Sequence, residues 1–202
     1  MRDYKQLSQE SFDRQAPTYD TASYGAHART LYPILLSQIG QIPHDSLLDV
    51  GCGTGALLWE ILRRWPDTRC AGVDLSGEMT ARARQRLESQ AEILQGDAER
   101  LPFPSGHFSV AVCSDSFHHY PAPALALREI HRVLRPGGVF LLGDTTAPIP
   151  LRQLMNLLLP FGHGGDVRLY SPKELTALLS EVFHGVECRK ISATSLLAWG
   201  LK

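Results

Sequence analysis

Three glycines at alternate positions, Gly51, Gly53 and Gly55, stand behind an apolar run that carries a carboxylate, Leu47-Leu48-Asp49-Val50. Glycines so placed let a backbone turn sharply and approach a ligand with no side chain in between. A helical pattern opening at Ala56 aims free N–H groups and the positive end of its dipole at the same place. This is chemistry for a nucleotide-type cofactor. Gly51, Gly53 and Ala56 satisfy the dinucleotide spacing G-x-G-x-x-A, with Asp74 about twenty residues further on. An NAD(P)-dependent oxidoreductase is therefore one reading. Asp49 argues against it, because a carboxylate two positions before the first glycine repels a pyrophosphate and welcomes a cationic, amino-acid-bearing cofactor. A second group of reactive side chains, Asp115, His118, His119 and Tyr120, follows a later apolar run. An imidazole there can take a proton near neutral pH, which matters when the attacking nucleophile is protonated at rest.

Elements must bring these two groups together. Short apolar runs at Leu47–Val50, Cys70–Leu75, Ala91–Gly96, Phe108–Ser114 and Val139–Gly143 read as strands. Helical patterns alternate with them at Ala56–Trp65, Glu78–Ser89 and Ala122–Leu134, the last stopped by Arg135-Pro136-Gly137-Gly138. Strands alternating with helices imply right-handed β-α-β crossovers and a mostly parallel, doubly wound α/β sheet. Ligands of such sheets sit beyond the carboxyl ends of the strands, where the strand order reverses. Residues 1–44 read as one or two amphipathic helices broken at Ala16-Pro17-Thr18-Tyr19-Asp20. Residues 147–170 are punctuated by Pro and Gly around an apolar stretch, Leu151–Leu159. It reads either as a lid over a small, apolar substrate or as a core helix packed on the sheet. Ser171-Pro172-Lys173-Glu174 is a capping box with Pro at the first helical position, opening a helix to about Phe183. Val186–Ile191 and Ser195–Leu201 then close the sheet as a strand pair.

Five segments in order carry a family likeness. They are LLDVGCGTG at 47–55, AGVDLS at 71–76, QGDAERLPF at 95–103, FSVAVCSDSFHHY at 108–120 and LREIHRVLRPGG at 127–138. Together they resemble the class I S-adenosylmethionine (SAM)-dependent methyltransferases. Phe12-Asp13-Arg14-Gln15-Ala16-Pro17-Thr18-Tyr19-Asp20 is similar to the opening segment of the ubiquinone/menaquinone-biosynthesis C-methyltransferase group. The likeness implies a single Rossmann-like domain with a seven-stranded sheet whose last strand is antiparallel. It divides into an N-terminal helical lid (1–44), a SAM-binding core (45–145), the 147–170 insertion, and a closing helix and strands (171–202).

The likeness also implies roles. Asp74 accepts the ribose hydroxyls, and Gly96, Asp97 and Ala98 hold the adenine edge. Gly51, Cys52, Gly53, Thr54 and Gly55 pass close to the methionine part, while Asp49 orients the loop or the amino group. Leu75 and Met79 pack on the adenosine, the Ser114 carbonyl meets the ammonium, and Tyr19 closes over the cofactor. His119, and after it His118, are the candidate catalytic groups; His163 is a further candidate pocket residue. His27, His44, His107 and His184 read as surface or cap residues. A protein that binds SAM without turnover is the alternative within the same fold.

Composition limits the partners. A chain of 202 residues with 44% hydrophobic content and a net charge of -1 carries no basic field for nucleic acid. No [Asp/Asn/Ser]-Pro-Pro-aromatic sequence, the mark of enzymes methylating bases or glutamine side chains, follows the fourth strand. Cys52, Cys70, Cys113 and Cys188 have no metal-ligand spacing, and no metal is expected. No apolar run has the length of a membrane span, and the first residues lack a signal-peptide pattern. The expectation is a cytoplasmic monomer or homodimer acting on a small molecule.

Overall fold

The computed structural model describes residues 3–162 and 164–202, so His163 lies outside the described residues. Two helices come first, α1 (Tyr4–Gln15) and α2 (Ala26–Ile39). Strands and helices then alternate as β1 (Ser46–Val50), α3 (Ala56–Arg64), β2 (Arg69–Asp74), α4 (Gly77–Leu87) and β3 (Ala91–Gln95). They continue as β4 (Phe108–Ser114), α5 (Pro123–Val133), β5 (Leu134–Thr145), α6 (Leu151–Leu158), α7 (Pro172–Ser180), β6 (His184–Lys190) and β7 (Ser195–Leu201). The strands form one sheet in the order β3-β2-β1-β4-β5-β7-β6. Strands β1 to β5 are parallel, and β7 is antiparallel to both β5 and β6. The order reverses between β1 and β4, which places the glycine loop and the His118–His119 segment beside one crevice.

The period of two in the strands builds two cores. Leu47, Val110, Val112, Leu141 and Leu197 pack with α2, α3 and α4 on one face. Leu48, Ala111, Cys113, Leu142, Leu196 and Ala198 pack with α5 and α7 on the other. The result is a three-layer α/β/α domain. Helix α2 belongs to this core: Leu31, Leu35 and Ile39 are fully buried against β4 and β5. Of the segment expected as a lid, only α1 and the turn after it lie over the crevice.

Three expectations change. Arg135–Gly138 does not separate helix from strand. It bulges out within β5, where pairing jumps from Phe108↔Leu134 to Val110↔Val139, and Gly137 donates to the Lys202 carbonyl at 2.9 Å. Helix α7 starts on the expected Ser171–Glu174 capping box but ends at Ser180, before Phe183. Helix α6 is neither a core helix nor an apolar lid: Leu151, Leu154, Leu157 and Leu158 face solvent while Arg152 is buried.

Candidate active site

The loop after β1 works through backbone geometry. Gly51 has φ +79°, and a Cβ there would lie 2.2 Å from Ser116 Oγ. Gly53 has φ +51° and nothing within 4 Å of where its Cβ would stand, so the backbone is bare towards the cavity. Its N–H donates to Asp74 Oδ2 at 2.8 Å, and the Ser76 N–H donates to Asp74 Oδ1 at 2.9 Å. Burial pushes the Asp74 carboxyl up to about 6 against the pull of these amides. Beneath the loop Asp49 is 1% exposed, and its Oδ1 has no hydrogen-bond partner. Burial, then the charge of Asp74, pushes Asp49 up to about 8. An orphaned buried carboxylate oxygen is costly. A cofactor with an ammonium and ribose hydroxyls suits these two carboxylates and the open backbone at Gly53.

A cleft of about 730 Å³ opens there, lined by Tyr19, Gly51, Gly53, Asp74, Leu75, Met79, Gly96, Asp97, Ala98, Ser114 and His119 among others. Other residues expected to touch the cofactor shape the loop from behind. Thr54 Oγ1 donates to Asp20 Oδ1 at 2.6 Å and accepts from Arg86 at 2.9 Å. Gly55 backs onto Ala83 and Leu87, and the Cys52 thiol is buried against Gly72. Asp49 lies under the cleft and not on its wall.

Helix α1 contributes what the sequence reading missed: Lys5, Ser8, Gln9 and Phe12 line the cleft. Lys5 Nζ donates to Asp97 Oδ2 at 2.6 Å and also to Glu99. Burial works against charge on Lys5, but the two carboxylates prevail and its pKa is raised. Ser76 Oγ donates to Asp13 at 2.5 Å, and Asp20 pairs with Arg86. Three tethers therefore hold the N-terminal segment across the cleft. A polar helix with buried Ser8 and Ser11 has no apolar stripe by which its inner face could be read.

A second hollow of about 500 Å³ adjoins the first and shares Phe12, Tyr19, Asp115 and His119 with it. Its wall adds Ser11, Gln15, Tyr24, His118, Gly164 and Asp166. Only Gly164 and Asp166 come from the 147–170 segment, so the wall is polar and aromatic. His118 Nδ1 donates to Asp144 Oδ1 at 2.6 Å. Burial alone would lower His118, but the charge and hydrogen bond of Asp144 push it up to about 9. Burial, then the neighbouring His118, lowers His119 to about 4. Its ring stacks edge-on with Phe12 at 5.0 Å. Asp115 takes a left-handed φ of +53° and accepts from His27 Nδ1 at 2.7 Å, while His27 Nε2 meets Ser195 Oγ at 2.8 Å. His27 is thus part of the site's support and no surface residue. His44 is also packed, its ring edge-on to Trp65 at 5.1 Å.

A doubly wound sheet with a bare glycine loop, a carboxylate at the end of β2 and a second hollow at the switch point defines a Rossmann-like nucleotide-cofactor protein. Comparison with known proteins narrows this. A methyltransferase-domain family model matches residues 48–142. Malonyl-[acyl-carrier protein] O-methyltransferase of Dechloromonas aromatica is 33% identical over 180 residues, covering 89% of this chain and 66% of that protein. Demethylmenaquinone methyltransferase of Chlamydia trachomatis serovar D is 29% identical over 210 residues, covering 92% and 90%. A solved structure described as PigF with SAH shares the fold at a TM-score of 0.79 and 21% identity, covering 100% of this chain and 62% of that one. The chain belongs to the class I SAM-dependent methyltransferases. SAM is the cofactor.

Proposed function

We propose that this protein transfers a methyl group from SAM to a small-molecule acceptor seated in the second hollow. The observation that carries this is the shared wall: Phe12, Tyr19, Asp115 and His119 border both cavities. A reaction that passes one carbon between two ligands requires them to meet end to end, with water kept out. When bound, SAM supplies a sulfonium whose methyl is already activated for in-line displacement. The protein's part is then positional. Asp74 holds the ribose, Asp97 and Ala98 the adenine edge, and the Gly51–Gly55 loop with Asp49 and Ser114 the amino-acid end. Tyr19 and Phe12 cover the junction, and His119 with His118 contacts the acceptor.

The relatives act on a malonyl-acyl carrier protein and on demethylmenaquinone, as their names state. Carboxylate and quinol oxygen or carbon acids are therefore the first acceptors to assay. A polar and aromatic hollow suits them. The chain spans about two thirds of the Dechloromonas protein, and the reading applies to the domain seen here. We place it in the cytoplasm as a monomer or homodimer without nucleic-acid partners. Among the described residues no helix is long and apolar enough to cross a membrane.

The test is S-adenosylhomocysteine (SAH) release during turnover of a panel of such acceptors. His119→Ala is expected to lower turnover by at least about 100-fold, the lower range for a lost acid–base or positioning group, with SAH affinity kept. Equal turnover in the variant would remove His119 from the reaction. No SAH release with any acceptor, despite tight SAH binding, would favour a SAM-binding protein without turnover.

A further inference from the structure

We propose that His118, His119 and Asp166 form a site for one divalent cation of the zinc class in the wall of the acceptor hollow. His118 Nε2 lies 3.5 Å and His119 Nδ1 3.6 Å from the same oxygen, Asp166 Oδ1. The three ligand atoms all lie within 4.8 Å of one another. Separations of this size are too long for hydrogen bonds. The two separations from Asp166 Oδ1 are close to the edges of a tetrahedron, about 3.3–3.5 Å, around a metal with ligand bonds of about 2.0–2.2 Å. His119 Nδ1 is buried with no hydrogen-bond partner, and the neutral imidazole with its proton on Nε2 offers a lone pair there.

The surroundings fit the same assignment. The other nitrogen of His118 donates to Asp144 at 2.6 Å, the carboxylate–histidine arrangement that fixes the aim of a metal-bound imidazole. The cation takes the place of the Nε2 proton that the surrounding carboxylates hold on His118, so binding releases a proton. Asp166 is held in place by the next two residues, whose N–H groups donate to the His118 carbonyl at 2.9 and 3.2 Å. Gly165 makes the approach possible, since a Cβ there would lie 2.5 Å from the Ser8 backbone nitrogen of α1. The alternative trio of Asp115, His118 and Asp144 is closed, because His118 Nδ1 already bonds Asp144. Three protein ligands leave a fourth position open, as in sites that bind a reacting molecule. That position faces the hollow, so the ligand class is an acceptor oxygen, a hydroxyl or carboxylate, bound directly to the cation. The cation site stands on its own geometry, whereas the acceptor as fourth ligand rests on the methyl-transfer reading; zinc binding is measured independently of turnover.

The experiment uses the tag-free full chain stripped with a chelator, titrated with ZnCl2 by calorimetry, and loaded with Co2+ for visible spectroscopy. One equivalent of zinc and the intense absorption of tetrahedral cobalt are expected. Asp166→Asn and His119→Gln should each weaken zinc at least 100-fold, and Asp144→Asn about 10- to 100-fold. Thermal unfolding and SAH binding, measured in parallel, verify that each variant folds. The absence of stoichiometric zinc binding in the native chain would overturn the proposal. So would zinc affinity unchanged in both Asp166→Asn and His119→Gln. Loss of SAH binding or of turnover in the native chain strikes the methyl-transfer reading alone.

Discussion

At the residue scale the site rests on two carboxylates in the wrong solvent. Asp49 and Asp74 begin from an ordinary value of 3.8 and rise to about 8 and about 6 in the fold. A carboxyl raised by folding favours the protonated native state, so its stabilising contribution is full at low pH. It is lost as pH climbs through the folded values. The ligand-free protein should therefore melt at progressively lower temperature between about pH 4 and 8, and Asp49→Asn should flatten that slope. A cation bound beside the pair favours the ionised forms, so SAM affinity should rise over the same window with release of protons. Calorimetry in two buffers of different ionisation enthalpy measures that release; proton uptake on binding would contradict the assignment. Both aspartates were legible in the sequence from their places beside the glycine loop. Lys5 was not, because its partners Asp97 and Glu99 lie 92 and 94 residues away and no local pattern links them. His27 escaped for the same reason, its bond to Asp115 spanning 88 residues.

At the element scale the unexpected piece is α6, whose apolar residues lie on the outside. Leu157 is 68% exposed and Arg152 only 8%. What holds the helix is polar: Asn156 Nδ2 donates to the Leu169 carbonyl at 2.9 Å, and the Leu169 N–H donates to Asn156 Oδ1 at 2.8 Å. Leu154→Gln and Leu157→Gln should each change stability by no more than about 0.5 kcal/mol. Asn156→Ala leaves two backbone groups unpaired and should cost about 1–3 kcal/mol. Leu35→Ala in α2 empties a fully buried site and should cost about 2–5 kcal/mol. Denaturant unfolding of the four variants checks the order, and a large loss at Leu157 would return α6 to the core. Helical periodicity identifies an apolar stripe but not which side of it the protein occupies. That is why α2 read as a lid and α6 as core or lid. The β-α alternation was more informative, because strand periodicity and crossover handedness leave few sheets to choose from.

At the scale of the whole molecule the sheet order carries the function. The reversal between β1 and β4 brings residues near 51, 74, 97 and 115 to one crevice. Helix α1 and the turn after it then cross it, tethered through Lys5, Asp13 and Asp20, and Phe12 of α1 borders both hollows. The first hollow was readable from motifs, since glycines and strand-end carboxylates sit at fixed distances along the chain. The second was not, since it is assembled from α1, the end of β4 and residues 164–166, which share no sequence spacing. On the reading proposed above, SAM binds in the cleft beside Gly53 and Asp74. Isothermal titration of the full chain with SAH, and separately with NADH, tests it most directly. One equivalent of SAH should bind, Asp74→Ala should weaken it by about 10-fold or more, as a lost charged hydrogen-bond acceptor does, and NADH should give no heat. Saturable NADH binding with none for SAH would rule SAM out of this cleft.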